Sequence, residues 1–185
     1  MEIIFVRHTE KGDVGEDPFL TKKGVRQAVF LSKKLKKDKF SKFYCSNMNR
    51  AKQTADIISK AIKQKPVIEK SLNEFKTEIL TKKKSKWNEE EKNRYNKIVS
   101  FIKKLTKKQD RAEKILIIAH GITNRIILSF LLDLNLKNII KFRQSEGGIN
   151  IVYWAKKFNN WRLKSWNDNN HIPDNLKHRS LNYLF

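Results

Sequence analysis

Two short apolar runs constrain this chain most. "EIIFV" at the start and "KILIIA" near residue 115 lack the alternation of a strand with one wet face. Each is therefore expected to be a strand buried on both faces, as in a parallel sheet covered by helices. Each run stops at a histidine: His8, preceded by Arg7, and His120, followed by Gly121. In open α/β sheets, ligands bind beyond the carboxyl ends of the parallel strands. If the two strands are parallel near neighbours, the imidazoles meet at that edge. One histidine at a strand end is ordinarily a hydrogen-bonded structural residue; two in one chain favour a site.

The segments between these runs read as helices alternating with strands. Thr21 is placed to cap "KKGVRQAVFLSKKLKK", whose Val25, Ala28, Val29, Leu31 and Leu35 share a face that also takes in Ser32. "KFYCSN" is a short strand running into a turn, and "NRAKQTADIISKAIKQ" is a helix with Ala51, Ala55, Ile58 and Ile62 on one side. "PVIEKSLNEF" reads as a short strand and loop. Residues 76–108 are the most polar part: "TEILTKKKSKW" has no clear period. "EEEKNRYNKIVSFIKKL" is an amphipathic helix with acids first and lysines last, as the helix dipole prefers, and Tyr95, Ile98, Ile102 and Leu105 on its apolar side. "ITNRIILSFLLDLN" is an apolar helix. "GGINIVYWA" and "WRLKSW" form a candidate hairpin joined by "KKFNN", and the tail from Asn167 is polar and expected to be irregular. No repeat or linker divides the chain. We expect one α/β domain over residues 1–185, with helices on the faces of a mostly parallel sheet and residues 76–108 as a variable, lysine-rich insert.

The charge balance is unusual. The 185 residues carry a formal net charge of +22 at pH 7, a field that favours polyanions, acidic surfaces or phosphorylated ligands. The lysines are spread along the chain in company with Asn and Ile, a pattern that coding bias also produces. Cys45 is the one cysteine, so an intrachain disulfide is excluded, which suits a reducing cytoplasm. Met1 leads directly into a strand, so no signal peptide is expected, and no apolar stretch is long enough to span a bilayer.

Two arginines accompany the two histidines. Arg7 adjoins His8, and Arg50 lies in "SNMNRAKQTA", at the expected opening turn of a helix. A helix start offers free N–H groups and a positive dipole end, and the guanidinium fork matches phosphate oxygens. A lone arginine is usually a surface charge; two, with two histidines, suggest a phosphate pocket.

On these residues the chain resembles the histidine phosphatase superfamily, the phosphoglycerate mutase-like family. "VRHTEKG" resembles its Arg-His signature, and "DPFLTKKGVRQA" is similar to its Leu-Thr-x-x-Gly-x-x-Gln-Ala helix entry. "SNMNRAKQTA" resembles its second-arginine segment, "SLNEF" its acidic segment, and "IIAHGITNRIIL" its second-histidine motif. The matches run in family order to about Leu132. The resemblance implies a three-layer α/β/α sandwich. It implies His8 as a nucleophile that becomes phosphohistidine, with Arg7, Arg50 and His120 holding the phosphoryl group. Glu74 would be the proton donor to the leaving oxygen, and Thr9 and Gly121, beside the two histidines, would add to the substrate-binding set. It implies no metal and no cofactor.

Three departures matter. Thr9 stands where Gly or Ala is usual, and Asn47 and Met48 replace Pro-Leu before the second arginine. Glu78 follows Glu74 closely and is the alternative acid. The stretch between the acid and the second histidine differs from that of mutases, so substrate identity does not carry over. The expected activity is metal-independent phosphomonoester hydrolysis, on a phosphorylated small molecule or a phosphoprotein. The alternatives are a phosphoglycerate mutase, or a non-catalytic basic protein that binds RNA or an acidic partner through a patch such as Lys82–Lys84 near Trp87. Nucleic acid is the less favoured partner, since a solvated loop explains the lysine run. His171 and His178 lie in the tail without evident partners.

Overall fold

A computed structural model of the chain describes residues 1–75, 84–108 and 111–177. Six strands form one sheet: β1 (Glu2–Arg7), β2 (Lys42–Cys45), β3 (Val67–Ile68), β4 (Lys114–Ala119), β5 (Ile149–Ala155) and β6 (Asn160–Asp168). Their order across the sheet is β3-β2-β4-β1-β5-β6. The first four in that order pair in parallel, and β5 and β6 are antiparallel. The fold is mixed α/β with a mostly parallel sheet, as the alternation of elements implied.

Strand periodicity sorts the core into two layers. Ile3, Phe5, Ile115 and Ile117 face one side, where they meet α3 (Glu89–Thr106) and α4 (Gly121–Leu131) through Ile98, Ile102, Ile126 and Ile127. Ile4, Val6, Leu116 and Ile118 face the other, against α1 (Lys22–Leu35) and α2 (Asn49–Ile62) through Leu31, Leu35, Ala55 and Ile58. Because both faces are covered, β1 and β4 need apolar residues at every position, which is why they do not alternate. A short helix, α5 (Leu136–Ile139), follows α4 and buries Ile139; the sequence reading did not separate it.

The helix termini follow their local sequence. Thr21 caps α1 by accepting the Gly24 N–H. Asn88 and Glu91 form a reciprocal capping box at the start of α3, ahead of three acids in its first turn and two lysines in its last. Trp87, just before that cap, is buried in the core. Lys84 reaches back over the Tyr95 ring, 4.4 Å from its centroid; Lys82 and Lys83 lie outside the described residues.

Two expectations need correction. The buried face of α1 is Gly24, Gln27, Ala28, Leu31, Ser32 and Leu35, whereas Val25 and Val29 are exposed. The face is rotated because Gln27 is drawn inward: its carboxamide accepts the Glu10 N–H at 2.8 Å and donates to the Leu176 carbonyl at 2.8 Å. That second bond shows the other correction. The tail is packed as far as Lys177, with Ile172 and Leu176 buried and β6 continuing to Asp168. His171 is partly buried there, with neither ring nitrogen partnered among the described residues, and burial pushes its pKa down to about 4. His178 lies outside the described residues.

Gly24 fixes how the loop after His8 meets α1. A Cβ there would stand 1.9 Å from the Glu10 carbonyl oxygen, which is backbone and cannot swing away. Thr21 completes the joint: its N–H reaches the same carbonyl at 3.1 Å and its hydroxyl donates to the Glu10 carboxylate at 2.8 Å. Replacing Gly24 by Ala should therefore cost about 1–3 kcal/mol in denaturant unfolding, as overpacking does. An unchanged midpoint would mean that the helix and loop separate freely.

Candidate active site

The register of three neighbouring parallel strands assembles the site. Arg7 is level with Ala119 across β1–β4, and Cys45 with Ile118 across β4–β2. The ladder continues one step beyond the strands: the His8 N–H bonds the Ala119 carbonyl at 2.9 Å, and the Ser46 N–H bonds the Ile118 carbonyl at 3.0 Å. His8, His120 and Ser46 are thus delivered to one edge. The His8 and His120 rings lie 5.1 Å apart between centroids, inclined by 61°.

The partners of His8 fix its tautomer. Its Nδ1 lies 2.7 Å from the Thr9 carbonyl, which can only accept, so Nδ1 carries the proton. Its Nε2 receives the Arg50 Nε–H at 3.2 Å, so Nε2 carries the lone pair. The ring is buried. Burial, then the Arg7 charge and less strongly Arg50 and Lys11, hold its pKa well below the usual imidazole value, against the Thr9 bond that raises it. His8 is a neutral imidazole with a directed lone pair at ordinary pH.

His120 is fixed in the opposite sense. The Asn73 Oδ1 accepts the Asn47 N–H at 3.0 Å and lies 3.0 Å from the Ser46 hydroxyl, which gives it its only proton. The Ser46 oxygen, 2.8 Å from His120 Nε2, must then accept from that nitrogen. His120 Nδ1 is left buried with no partner among the described residues, as is Arg7 Nε. Burial, followed by His8, Arg50 and Arg7, depresses the His120 pKa well below its ordinary value. Arg7 is steered by the loop before β5, where its Nη1 donates to the Gln144 carbonyl at 2.6 Å. That loop is tied back by Gly147, whose N–H bonds the Arg7 and His8 carbonyls at 3.1 and 3.3 Å from a backbone at φ +69°, a conformation glycine allows.

Two carboxylates complete the site. The Glu74 Oε1 accepts the Phe75 N–H at 3.1 Å and, more weakly, the Ile122 and Thr123 N–H groups at 3.3 and 3.4 Å, at the opening of α4. Burial raises the Glu74 pKa, opposed by Arg7 and Arg50 and by the Thr123 and Phe75 N–H groups. The Asp17 carboxylate takes the Asn49 N–H at 3.0 and 2.9 Å and the Arg50 Nη1 at 3.2 Å. The opening turn of α2 is therefore already occupied by Asp17, not left free for an anion as the sequence suggested.

The structure brings Arg7, His8, Arg50, Glu74 and His120 together. Gly121 begins α4 against Arg7, where a Cβ would sit 3.7 Å from Nε. Thr9 does not join them: its side chain is fully buried, 3.3 Å from the Thr54 hydroxyl, with its N–H on the same oxygen at 3.2 Å. It positions the carbonyl that orients His8, which accounts for a hydroxyl where a smaller residue is usual. Met48, which stands where Leu is usual, accepts the Glu74 N–H on its sulfur at 3.4 Å. Glu78 lies outside the described residues. The sequence reading missed Asp17, Ser46, Asn73, Thr54 and Gln144. The "DP" before "FLT" and the "SN" before Arg50 were the available signals for Asp17 and Ser46. Among the described residues, no cluster of three or more His, Cys, Asp or Glu side chains is arranged to hold a metal ion.

A family model of the histidine phosphatase superfamily, branch 1, matches residues 3–100 and 80–169, so the likeness extends through the β5–β6 hairpin. No curated protein sequence matches the chain. Among solved structures, phosphoserine phosphatase from Entamoeba histolytica, in complex with phosphoserine, superposes with TM-score 0.73 at 20% identity, over 93% of this chain and 99% of that one. The alpha-ribazole phosphatase of Shigella flexneri gives 0.74 at 20% identity, over 91% and 97%. A mycobacterial glucosyl-3-phosphoglycerate phosphatase, bound to inorganic phosphate, gives 0.74 at 16% identity, over 93% and 99%. With the family model spanning most of its length, the chain belongs to the histidine phosphatase superfamily.

Proposed function

We propose that the protein is a phosphomonoesterase that works through a phosphohistidine at His8 Nε2 on a phosphorylated small molecule. The observation that carries this is the pinned tautomer of His8: a buried neutral imidazole whose lone pair meets the Arg50 Nε–H, beside the His120 ring. The solved relatives act, by their names, on phosphoserine, alpha-ribazole phosphate and glucosyl-3-phosphoglycerate, which supports a small phosphorylated substrate without selecting one.

The steps follow from the groups present. The substrate phosphate takes Arg7 Nε and His120 Nδ1 as partners, and its negative charge favours a protonated His120 that donates from Nδ1. Arg50 moves its Nε–H from His8 to a phosphate oxygen. His8 Nε2 attacks phosphorus, the ester P–O bond breaks, and the leaving oxygen takes the proton of Glu74. Charge spreading over the equatorial oxygens in transit is met by Arg7, Arg50 and His120. Water then attacks phosphorus and breaks the P–N bond. Its proton returns to Glu74, and phosphate leaves with the His8 lone pair restored. The single buried thiol, Cys45, goes with a cytoplasmic setting. No helix among the described residues is long and apolar enough to cross a membrane.

The test is a panel of phosphomonoesters assayed without added metal. We expect phosphate release by the native protein and a fall on the order of a thousandfold or more in His8→Ala. Interconversion of phosphoglycerates without net phosphate release would instead make it a mutase. No turnover of any ester, with salt-sensitive RNA binding, would make it a binding protein.

The pKa directions set the pH dependence. His8 must be neutral, so activity is lost as pH falls through its depressed pKa. Glu74 must be protonated for the first step, so activity on alkyl esters is lost as pH rises through its elevated pKa. The profile for alkyl phosphates should therefore be bell-shaped, with its acid limb set by His8 and its alkaline limb by Glu74. Glu74→Gln should remove the alkaline limb and cost about a hundredfold on alkyl phosphates but much less on aryl phosphates, whose leaving groups need little protonation. Equal losses on both would assign the proton to another residue, such as Glu78.

A further inference from the structure

A cleft of about 820 Å³, lined by neither His8 nor His120, lies between α3 and the β2–β3 edge of the sheet. Its volume is that of a small-molecule site. On one wall Asn93, Lys97, Ser100 and Lys104 stand in one row at helical spacing. On the other, Lys42 and Tyr44 project from alternate positions of β2, and Lys70 and Ser71 follow β3.

Its charge is one-sided. Lys42 is paired with Glu113 at 3.0 Å, but Lys70, Lys97 and Lys104 have no carboxylate partner among the described residues. The one acid in the lining, Glu69, is held locally by the Ser71 N–H at 2.9 Å. Three unpaired ammonium groups around one concavity repel each other, and an anion between them relieves that repulsion. The Ser71 hydroxyl is buried and has no partner among the described residues. Two of the lining side chains are aromatic: Tyr44 and Phe101 meet edge to face, 5.1 Å between centroids at 81°. Both rings are only partly buried and line the cleft, so part of each is open to a flat group within it.

We propose that this cleft binds a nucleotide, with the base on the Tyr44–Phe101 pair and the phosphates between Lys70, Lys97 and Lys104. An inorganic anion uses the lysines and leaves the aromatic surface unused. An acidic peptide supplies charge without a flat group for the rings. A nucleoside diphosphate meets both features within the available volume, because a base stacks on aromatic side chains.

The test is calorimetric titration of ADP into the His8→Ala protein, in which any hydrolysis at the catalytic site is suppressed. We expect saturable binding at one site per chain, in the range of roughly ten to a few hundred micromolar. The exposed double variant Lys97→Glu/Lys104→Glu should weaken it about tenfold or more. Tyr44→Leu should weaken it severalfold, and pyrophosphate, which lacks the base, should bind severalfold more weakly than ADP. Saturating orthovanadate should leave ADP binding unchanged. Absence of binding, or binding indifferent to the double charge reversal, overturns the proposal. So does equal affinity for pyrophosphate, displacement by orthovanadate, or a short single-stranded oligonucleotide that binds far more tightly than ADP. None of these outcomes depends on turnover, so they leave the phosphatase reading to its own assay.

Discussion

The parallel pairing of β1 with β4 is the constraint on which the site depends. Arg7 opposite Ala119 sets the two strands to end at one level, and the next residue of each is a histidine. A slip of a single residue would turn one imidazole towards the other face of the sheet. The register is held by burial on both faces, because Ile3 and Phe5 pack with one helical layer while Ile4 and Val6 pack with the other. The same residues that make the strand a core element thus aim His8 and His120. The price is a site of buried charges, which the fold meets by pairing each cation or acid with fixed backbone or side-chain partners.

Those partners carry a consistent electrostatic logic. Arg50 is desolvated, which lowers its pKa, and Glu74 and Asp17 counter that loss. Glu74 is raised by burial and restrained by two arginines and by the start of α4. Both histidines are pushed towards the neutral form. For the nucleophile this is the useful direction, and for the acid the rise is the useful one. The shifts of His8 and Glu74 run towards each other, which increases the fraction of molecules with a neutral imidazole and a protonated carboxyl together.

The strands that end in histidine were legible because burial on both faces leaves no alternation, and a polar residue after such a run is conspicuous. Arg50 was marked by its place at an expected helix start, whereas Glu74 was legible only through its family setting, since a short loop carries little pattern of its own. What could not be read was set by contacts distant in sequence. Asp17 meets Asn49 and Arg50 across more than thirty residues, and Asn73 orders Ser46 and, through it, His120. The rotation of α1 has the same origin: Gln27 is buried because Glu10 and Leu176 need its carboxamide, not because its period demands it. Thr9 shows the converse. Its place beside the nucleophile suggested contact with substrate, yet its hydroxyl serves Thr54 and its carbonyl serves His8.

The central claim is a covalent bond between phosphorus and His8 Nε2. It is tested most directly by rapid quench of the native protein turning over a phosphoryl-labelled monoester, followed by mapping of the label. The account predicts label on His8, lost in acid and retained in alkali as a phosphoramidate is, and absent from His8→Ala. Turnover with no trapped phosphoenzyme under rapid quench, or label that persists in His8→Ala, would contradict it.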